Sequence, residues 1–440
     1  MIRPSDILGI NARSSDYLRL NKKEAREKAD DKLLTKKMLK KAKIPHPKLL
    51  GVVSSMVEVE QFDWLSLVGG FVIKPVQGLE GGGILLIKKQ AKYAGEWLKV
   101  EGGKVGVVDL KFHVMDILEG RYSRNDIPDS AMIEERVKTH PKFRKISTGG
   151  APDVRVIVYN RVPIMAMLRL PTEESLGKAN LHQGALGLGI DIATGITTYG
   201  VYKGRRIRYL PGGEKKVNGI TVPEWNKVLK YAVKTQRVSK LGYVAVDMLI
   251  DKEKGPLVLE LNDQPGLSIQ LANWAGLRRR LNRVEGLDVG LTKKGIMVAR
   301  ALFASPFVKR VKNLPGEKQT VGIFETANIR LSKKKRQEVP AKIDTGAFGT
   351  SIDRELACDL GLLQKKNVLW EKKYKSSLGE QTRTVVKLVF WLRGKKVSTR
   401  ASLTNRRGLR RKLLIGRRDL RDFVVNPGRF KPRDAGGKII

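Results

Sequence analysis

Runs of apolar residues, alternating or continuous, divide the chain into predicted helices and strands. Lys22–Lys43 is rich in helix formers with apolar side chains on one face, which predicts an amphipathic helix that stops before Pro45. Phe71–Pro75 and Ile84–Lys89 are apolar segments that predict two strands joined by a glycine-rich loop. Val222–Gly242 predicts another helix, ending at a glycine. The mixture predicts an α+β enzyme fold.

The pattern changes after residue 304. Residues 305–318 are polar, basic and interrupted by proline and glycine, which is typical of a linker. Residues 319–430 hold short strands separated by turns, so they predict a small all-β domain, and residues 431–440 predict a basic tail. We therefore expect residues 1–304 to form the first of two domains.

Composition points to an anionic partner. The 440 residues include 86 lysines and arginines against 44 acidic residues, a formal charge of +42. RNA, a ribosomal surface or an acidic peptide would suit this charge, while the alternative is a general basic bias that merely solvates helix faces. The single cysteine excludes an internal disulfide and fits a reducing compartment. With no apolar run of roughly 20 residues and no signal peptide, we expect a cytoplasmic protein without a membrane span.

Two apolar segments around the polar turn DKEKG predict an antiparallel hairpin with its turn centred on Glu253 and Lys254. This register places Asp247 directly opposite Glu260, and period-two alternation puts Asn262 on the same face as Glu260. Facing carboxylates repel unless a cation lies between them, and Mg²⁺ prefers oxygen ligands. The hairpin therefore predicts a Mg²⁺ site, with Mn²⁺ as the alternative metal and a solvated charged face as the alternative to any site.

Residues that suit phosphate binding lie upstream. Lys74 ends a predicted strand, and the glycines after it would let backbone N–H groups approach phosphate oxygens, although such a loop can also be an ordinary turn. Arg155 and Arg169, on later strands, could clamp a polyphosphate or a substrate carboxylate, or could form surface ion pairs. The glycines are Gly81, Gly82 and Gly83.

Together these residues resemble an ATP-grasp ligase, since Lys32, Lys74 with its glycine loop, the IEERV and D-V-R segments and the spaced hairpin residues follow that family's order. The resemblance is closer to the RimK-related α-L-glutamate ligase-like family. It is carried over most of the first domain by the segments DDKLLTKKML, FVIKPVQG, APDVRVIVYN, PIMAMLRLPT, GKANLHQGALGLGIDIATG and LELNDQPGLSIQLAN.

The resemblance implies that ATP lies between two β-rich subdomains, with Lys32 and Lys74 on its phosphates. It places adenine at Glu134 and the Val137 backbone, and Arg155 at an acyl-phosphate site. In such enzymes the γ-phosphate passes to a carboxylate, and an amine then displaces phosphate to form an amide. Asn180 and His182 match the family pattern and are expected to line the phosphate or acceptor site.

The second domain carries an Asp344-Thr345-Gly346 triplet after an apolar strand. Aspartic proteases use this triplet, and their chemistry needs two carboxylates about 3 Å apart that share a proton. Because the chain holds one such triplet, catalysis would require a homodimer, as in a retropepsin-like barrel. The alternative is a purely structural turn.

Flanking segments resemble the RimB-like family, which is also labelled an ATP-dependent zinc protease: YKSSLGEQTRTVVKLVF, RASLTNRR and LLIGRRDLRDFVVNP. We predict no zinc, because all four histidines precede this domain and one cysteine is its only soft ligand. The segment SSLGEQTR could form a flap.

The leading hypothesis is an ATP-dependent ligase that adds glutamate to a protein or peptide, joined to a protease-like domain that trims the product. One alternative is an RNA- or ribosome-binding protein built on an ATP-grasp scaffold. The other is an active ligase whose protease-like domain only dimerises.

Overall fold

The computed structural model describes most of the chain, with the backbone alone over residues 372–383; the described ranges are 3–78, 81–123, 126–304, 319–332, 335–376, 379–406 and 408–428. It divides into two compact units. The first comprises Met1–Val284 with Phe303–Val308, and the second comprises Glu285–Leu302 with Lys309–Ile440. The predicted linker and tail, and Ser377 and Leu378 of the predicted flap, lie outside the described residues.

The first unit begins with short helical turns, Pro4–Asp6, α1 (Ile10–Ala12), Arg13–Tyr17 and Leu18–Leu20. Where one helix was predicted over Lys22–Lys43, the chain forms α2 (Lys23–Asp30) and α3 (Lys32–Lys41). Asp31 separates them, because it is extended and its Oδ1 accepts hydrogen bonds from the amides of Leu33 and Leu34. This N-cap competes with continuation of the helix, so the single-helix prediction was wrong at Asp31.

A six-stranded antiparallel sheet follows, in the order β1-β6-β2-β3-β4-β5. Phe71, Ile73 and Trp97 of this sheet are fully buried and share one core with the helices beside it. The elements are β1 (Leu49–Val53), α4 (Met56–Gln61), a 3₁₀ turn (Trp64–Ser66), β2 (Phe71–Pro75), β3 (Leu85–Gln90), β4 (Glu96–Lys99), β5 (Lys104–Gly106), α5 (Val107–Leu118) and β6 (Ala131–Glu135).

A second antiparallel sheet of seven strands has the order β11-β10-β9-β8-β7-β12-β13. Its central strands are buried along nearly their whole length, because helices pack against it. The strands are β7 (Asp153–Tyr159), β8 (Val162–Leu170), β9 (Leu186–Ile190), β10 (Thr197–Tyr202), β11 (Arg205–Ile207), β12 (Tyr243–Asp251) and β13 (Gly255–Asn262). The helices are α6 (Pro141–Arg144), a 3₁₀ turn (Leu181–Gln183), α7 (Trp225–Ser239), α8 (Ile269–Asn273), α9 (Leu277–Asn282) and α10 (Thr292–Phe303), the last lying mostly in the second unit.

The second unit contains a closed barrel of six strands in the order β15-β16-β21-β17-β20-β19, closed by pairing of β19 with β15. The predicted all-β character is therefore confirmed. β18 pairs with the outside of β19, and β14 forms a separate parallel ladder with β22. The elements are β14 (Gln319–Val321), β15 (Phe324–Arg330), β16 (Arg336–Asp344), β17 (Thr350–Asp353), α11 (Arg354–Asp359), β18 (Val368–Ser376), β19 (Gly379–Leu392), β20 (Lys395–Thr404), β21 (Leu413–Gly416) and β22 (Phe423–Val425).

No helix among the described residues combines the length and apolar character needed to cross a bilayer.

Candidate active site

Two buried lysines share one carboxylate in the first sheet. Lys74 Nζ lies 2.7 Å from Glu134 Oε1, and Lys36 Nζ lies 2.8 Å from Glu134 Oε2. Burial alone would raise the pKa of Glu134, but Lys74 and Lys36 hold that pKa below its ordinary value. Both oxygens of the residue expected at adenine therefore bind lysines, and Glu134 fixes the position of Lys74.

The hinge after β6 presents free backbone groups. The amide of Arg136 donates to the Gly70 carbonyl at 2.9 Å, and the amide of Lys138 donates to Asp251 Oδ2 at 2.8 Å. Between them, the N–H and C=O of Val137 form no hydrogen bond with any described residue. An unpaired backbone donor and acceptor at a hinge can read the edge of a purine, and the adenine role of the Val137 backbone stays a prediction.

Lys32 connects the glycine loop to the hairpin. Its ammonium donates to the carbonyls of Val76 at 2.9 Å and Gly78 at 3.1 Å, just before the loop glycines. Burial lowers the pKa of Lys32, while the nearby carboxylate of Glu260 opposes that shift. Lys32 thus interacts electrostatically with both Lys74 and Glu260.

The glycine loop has a backbone that other residues could not adopt without strain. Gly81 and Gly83 have φ of +75° and +67°, and a Cβ on Gly83 would lie 2.6 Å from a ring carbon of Tyr122. A Cβ on Gly81 would lie 3.6 Å from Cδ of Lys178. Lys178 is half-buried and forms no ion pair within the described chain, so it adds a cation that the sequence argument missed.

The hairpin pairs Asp247 with Glu260, as predicted, and places Asn262 opposite Ala245. A bulge falls between Asp247 and Met248. Asp247 is fully buried, whereas Glu260 and Asn262 are half-buried. Asn262 Oδ1 accepts a hydrogen bond from the amide of Gln264 at 2.9 Å, which leaves one lone pair on that oxygen.

Asp247 is neutralised by two arginines from neighbouring strands. Arg155 binds it through two hydrogen bonds of 2.8 and 2.6 Å, and Arg169 Nη2 adds a third of 2.6 Å. Arg169 also binds Asp153 through two hydrogen bonds of 2.6 and 2.5 Å. Burial would raise the pKa of Asp247, yet the two arginines hold it well below its ordinary value, whereas burial raises the pKa of Asp153. These arginines form buried ion pairs, not the surface pairs considered above.

The donor set of the hairpin fits a hard cation in part. Glu260 offers a half-buried carboxylate that forms no ion pair among the described residues, and Asn262 offers an amide oxygen on the same face. Asp247 would have to share its oxygens with Arg155 and Arg169. Within the described ranges, no group of three or more histidine, cysteine or acidic side chains is arranged to hold a metal.

Asn180 and His182 lie at the start of a 3₁₀ turn. Asn180 Oδ1 accepts a hydrogen bond from the amide of His182 at 3.0 Å, which caps the turn. The His182 ring is exposed and lines a cleft of about 180 Å³. Lys178 therefore lies at the glycine loop, and His182, four residues later, lies at this cleft.

Asp344 ends β16 in the barrel. Its Oδ1 accepts hydrogen bonds from the amides of Gly346 at 2.9 Å and Ala347 at 3.0 Å, and the residue pairs in parallel with Gly416. The other carboxylate oxygen accepts no hydrogen bond in the described part of the chain. Asp344 is thus a half-buried carboxylate held by its own turn.

Comparisons with known proteins give one family. The family model for sugar-transfer associated ATP-grasp proteins matches residues 12–286. A comparison with curated proteins gave no match.

Solved structures are similar to each part at low identity. The ATP-grasp ligase PsnB in complex with a minimal precursor is 15% identical, with 60% of this chain and 60% of that chain covered and a TM-score of 0.32. The D-alanine–D-alanine ligase from Bacillus anthracis in complex with ATP is 15% identical, with 60% and 66% covered and a TM-score of 0.35. The simian foamy virus protease is 21% identical, with 22% and 90% covered and a TM-score of 0.18. The match therefore spans 60% of the length of the PsnB ligase.

Proposed function

Because the chain belongs to the sugar-transfer associated ATP-grasp family, we propose that it is an ATP- and Mg²⁺-dependent ligase that joins a carboxylate to an amine. The observation that carries this proposal is the position of Lys32, which contacts the backbone just before the glycine loop and interacts electrostatically with both Lys74 and Glu260. Lys32 and Lys74 on one side, with a carboxylate that forms no ion pair among the described residues on the other, suit a metal-bound polyphosphate.

The chain's residues then act by positioning and charge neutralisation. Lys74, held by Glu134, and Lys32 bind the phosphates, and the Val137 backbone holds adenine. Glu260 and Asn262 would hold Mg²⁺, with Asp247 sharing its charge with the arginines; the ion would neutralise phosphate charge. The acceptor carboxylate attacks the γ-phosphorus and ADP leaves; an amine nitrogen then attacks the acyl carbon, releasing phosphate and its own proton. Arg155 and Arg169 stabilise the charge on the acyl phosphate.

The amine we propose is that of glutamate, and the acceptor a protein or peptide, in the cytoplasm. The resemblance to RimK-related ligases supports this choice. The name of the matching family favours a second candidate, an acceptor or amine linked to a sugar.

We further propose that the barrel is a retropepsin-like half-site. Two copies of Asp344, one from each protomer of a homodimer, would share a proton and activate water to trim the ligated product. In this division of the chain, residues 1–304 form the ligase and residues 319–430 the protease-like domain. The alternative role of the barrel is dimerisation alone.

The test is ADP release from ATP and Mg²⁺ with glutamate, other amino acids or amino sugars, across peptide acceptors. We expect glutamate-dependent release that Lys74→Met abolishes and Lys89→Met, an exposed lysine on the adjacent strand, preserves. Release with amino sugars alone would replace glutamate by the second candidate. No release with any amine would contradict the ligase proposal.

The barrel is tested separately, by hydrolysis of the ligated peptide and by sedimentation. We expect a dimer whose hydrolysis is lost in Asp344→Asn. A dimer that does not hydrolyse the peptide would support the dimerising role alone. A monomer would contradict both the protease-like role and the dimerising role.

A further inference from the structure

An exposed aromatic and basic surface lies beside the His182 cleft. Arg206 of β11 has its guanidinium 4.7 Å from the ring centroid of Tyr199 and 5.2 Å from that of Trp274, so it is stacked on both rings. Arg206 is exposed, and Trp274 is 50% exposed. No described carboxylate forms an ion pair with Arg206 or with its neighbours Arg205 and Arg208. The surface therefore presents cations whose charge is not compensated within the described chain.

The local sequence strengthens this charge. Residues 203–216, which include the β10–β11 turn and β11, carry six lysines and arginines against one acidic residue. Of these residues, Lys203 does form an ion pair, since its ammonium lies 2.9 Å from the carboxylate of Glu174. A compact basic segment of this kind attracts acidic ligands.

Trp274 occupies a backbone conformation that disfavours it. It follows the last residue of α8 with φ of +47° and ψ of +46°, the left-handed position where helices usually place glycine. A large aromatic residue there strains the backbone and leaves half its surface in water. Because neither property benefits folding, the tryptophan points to a binding role.

The cleft lies against this surface. Val201, which lines the cleft, is the cross-strand partner of Arg206, and Leu271, which also lines it, is three residues before Trp274 on α8. Gly189 fixes α8 at this distance, because a Cβ there would lie 2.2 Å from the Ala272 carbonyl oxygen. The helix and the strand pair thus hold cleft and aromatic surface in one arrangement.

The size and lining of the cleft define what enters. Its volume of about 180 Å³ is below the range of about 300–1,000 Å³ for small-molecule pockets, so it suits one side chain better than a whole cofactor. Apolar walls come from Leu181, Ala185, Val201 and Leu271, with His182 and Lys203 adding polar groups. A peptide with an apolar side chain next to acidic residues would match both the cleft and the basic surface.

We propose that this surface, comprising Arg206, Trp274, Tyr199 and the cleft, docks an acidic peptide acceptor. One apolar side chain of the peptide enters the cleft while neighbouring carboxylates bind Arg206 and Arg205. His182 lines the cleft, and Lys178, four residues before it, lies at the glycine loop. A peptide in the cleft would therefore lie next to the segment that reaches the proposed phosphate site. The inference rests on the proposed ligase function, for which it names the acceptor class.

The test measures binding of the full chain, without nucleotide, to a fluorescein-labelled acidic peptide with a central leucine. We expect Arg206→Glu to weaken binding at least about tenfold. Lys92→Glu, which makes the same charge change at an exposed cation that also lies over a tyrosine ring, should weaken it less than about twofold. Equal losses in the two variants would show nonspecific attraction and overturn the proposal.

A second variant separates binding from folding. Trp274→Gly should relieve the left-handed strain, so the urea midpoint of unfolding should stay or rise while peptide affinity falls. A fall in both would indicate a structural tryptophan and overturn the binding role.

Competing ligands complete the test. Replacing the central leucine by glycine should weaken binding, and a lysine-containing version of the peptide should not bind. Single-stranded RNA bound as tightly as the acidic peptide, with the same loss in Arg206→Glu, would assign the surface to RNA and overturn the peptide. ADP release is measured in parallel. If the protein binds the peptide but releases no ADP, only the ligase proposal is contradicted. If it releases ADP and Arg206→Glu binds the peptide as tightly as the unmodified protein, only the docking proposal is contradicted.

Discussion

Asp247 and Asp344, the two aspartates singled out from the sequence as site residues, are held in opposite ways. Asp247 is fully buried and bound by arginines from two other strands. Asp344 is half-buried, and the hydrogen bonds it accepts from described residues come from amides of its own turn. A carboxylate neutralised from distant parts of the chain is part of the fold, whereas one held by a local turn can change without disturbing the core.

The largest expected effect comes from removing the charge of Asp247, which is neutralised by arginines from other strands. Asp247→Asn leaves Arg155 and Arg169 buried with one fewer counter-charge, so we expect the free energy of unfolding to fall by about 3–5 kcal/mol. Urea unfolding measures this loss. Glu260→Gln, on the partner strand, is the matched control: it should cost less than about 1 kcal/mol while weakening Mg²⁺-ADP binding by calorimetry. Equal destabilisation by the two variants would contradict the distinction.

The next effect concerns Glu134, which holds Lys74 and Lys36. Glu134→Gln should lower the free energy of unfolding by about 2–3 kcal/mol, because two buried ammonium groups lose their anion.

The same ion pairs predict a pH dependence. The folded-state pKa of Glu134 lies below its ordinary value of 4.5, so they stabilise the fold above that pH and the stabilisation is lost as the pH falls through the folded value. The acid limb of a stability–pH curve should therefore be shallower in the Glu134→Gln variant. An unchanged acid limb would show that the ion pairs contribute little.

A smaller effect tests the glycine loop. Gly83→Ala meets both the positive φ and the Tyr122 ring, and we expect a cost of about 1–3 kcal/mol with weaker nucleotide binding. Gly102→Ala meets a positive φ in open space, so it should cost about 1 kcal/mol and leave nucleotide affinity unchanged. Equal nucleotide affinities would remove the loop from the site.

The smallest effect lies in the barrel. Asp344→Asn keeps an oxygen that can accept both amide hydrogen bonds, so stability should change by less than about 0.5 kcal/mol, and ADP release should be unchanged. A large loss of stability would make Asp344 as structural as Asp247 and remove the contrast between the two sites.

The Asp247–Glu260 pair was predicted correctly for an incomplete reason. Asp251 pairs with Gly255, so the turn centres on Glu253 alone, and an unbroken ladder would place Asp247 opposite Leu259. The bulge beside Asp247 shifts the register by one residue and restores Glu260. Counting along the chain cannot detect a bulge, because bulges depend on packing around the strand.

Other residues differ in how far the sequence could have revealed them. Asp153 stands two residues before Arg155, on the same face of the strand, so alternation could have suggested it. The N-cap at Asp31 could also have been predicted from the sequence, since aspartate is favoured at that position. The contact of Lys178 with Gly81 joins segments nearly one hundred residues apart, and only the folded chain shows it.

The parallel ladder of β14 and β22 gives the barrel a mechanical property. Gln319 pairs with Phe423 and Val321 with Val425, so the chain enters along one strand and leaves along its neighbour in the same direction. A force pulling the entry and the exit apart acts along the ladder, in shear. All of its hydrogen bonds then share the load, whereas strands peeled from one end lose them one at a time. The ladder therefore works as a clamp at the ends of the barrel.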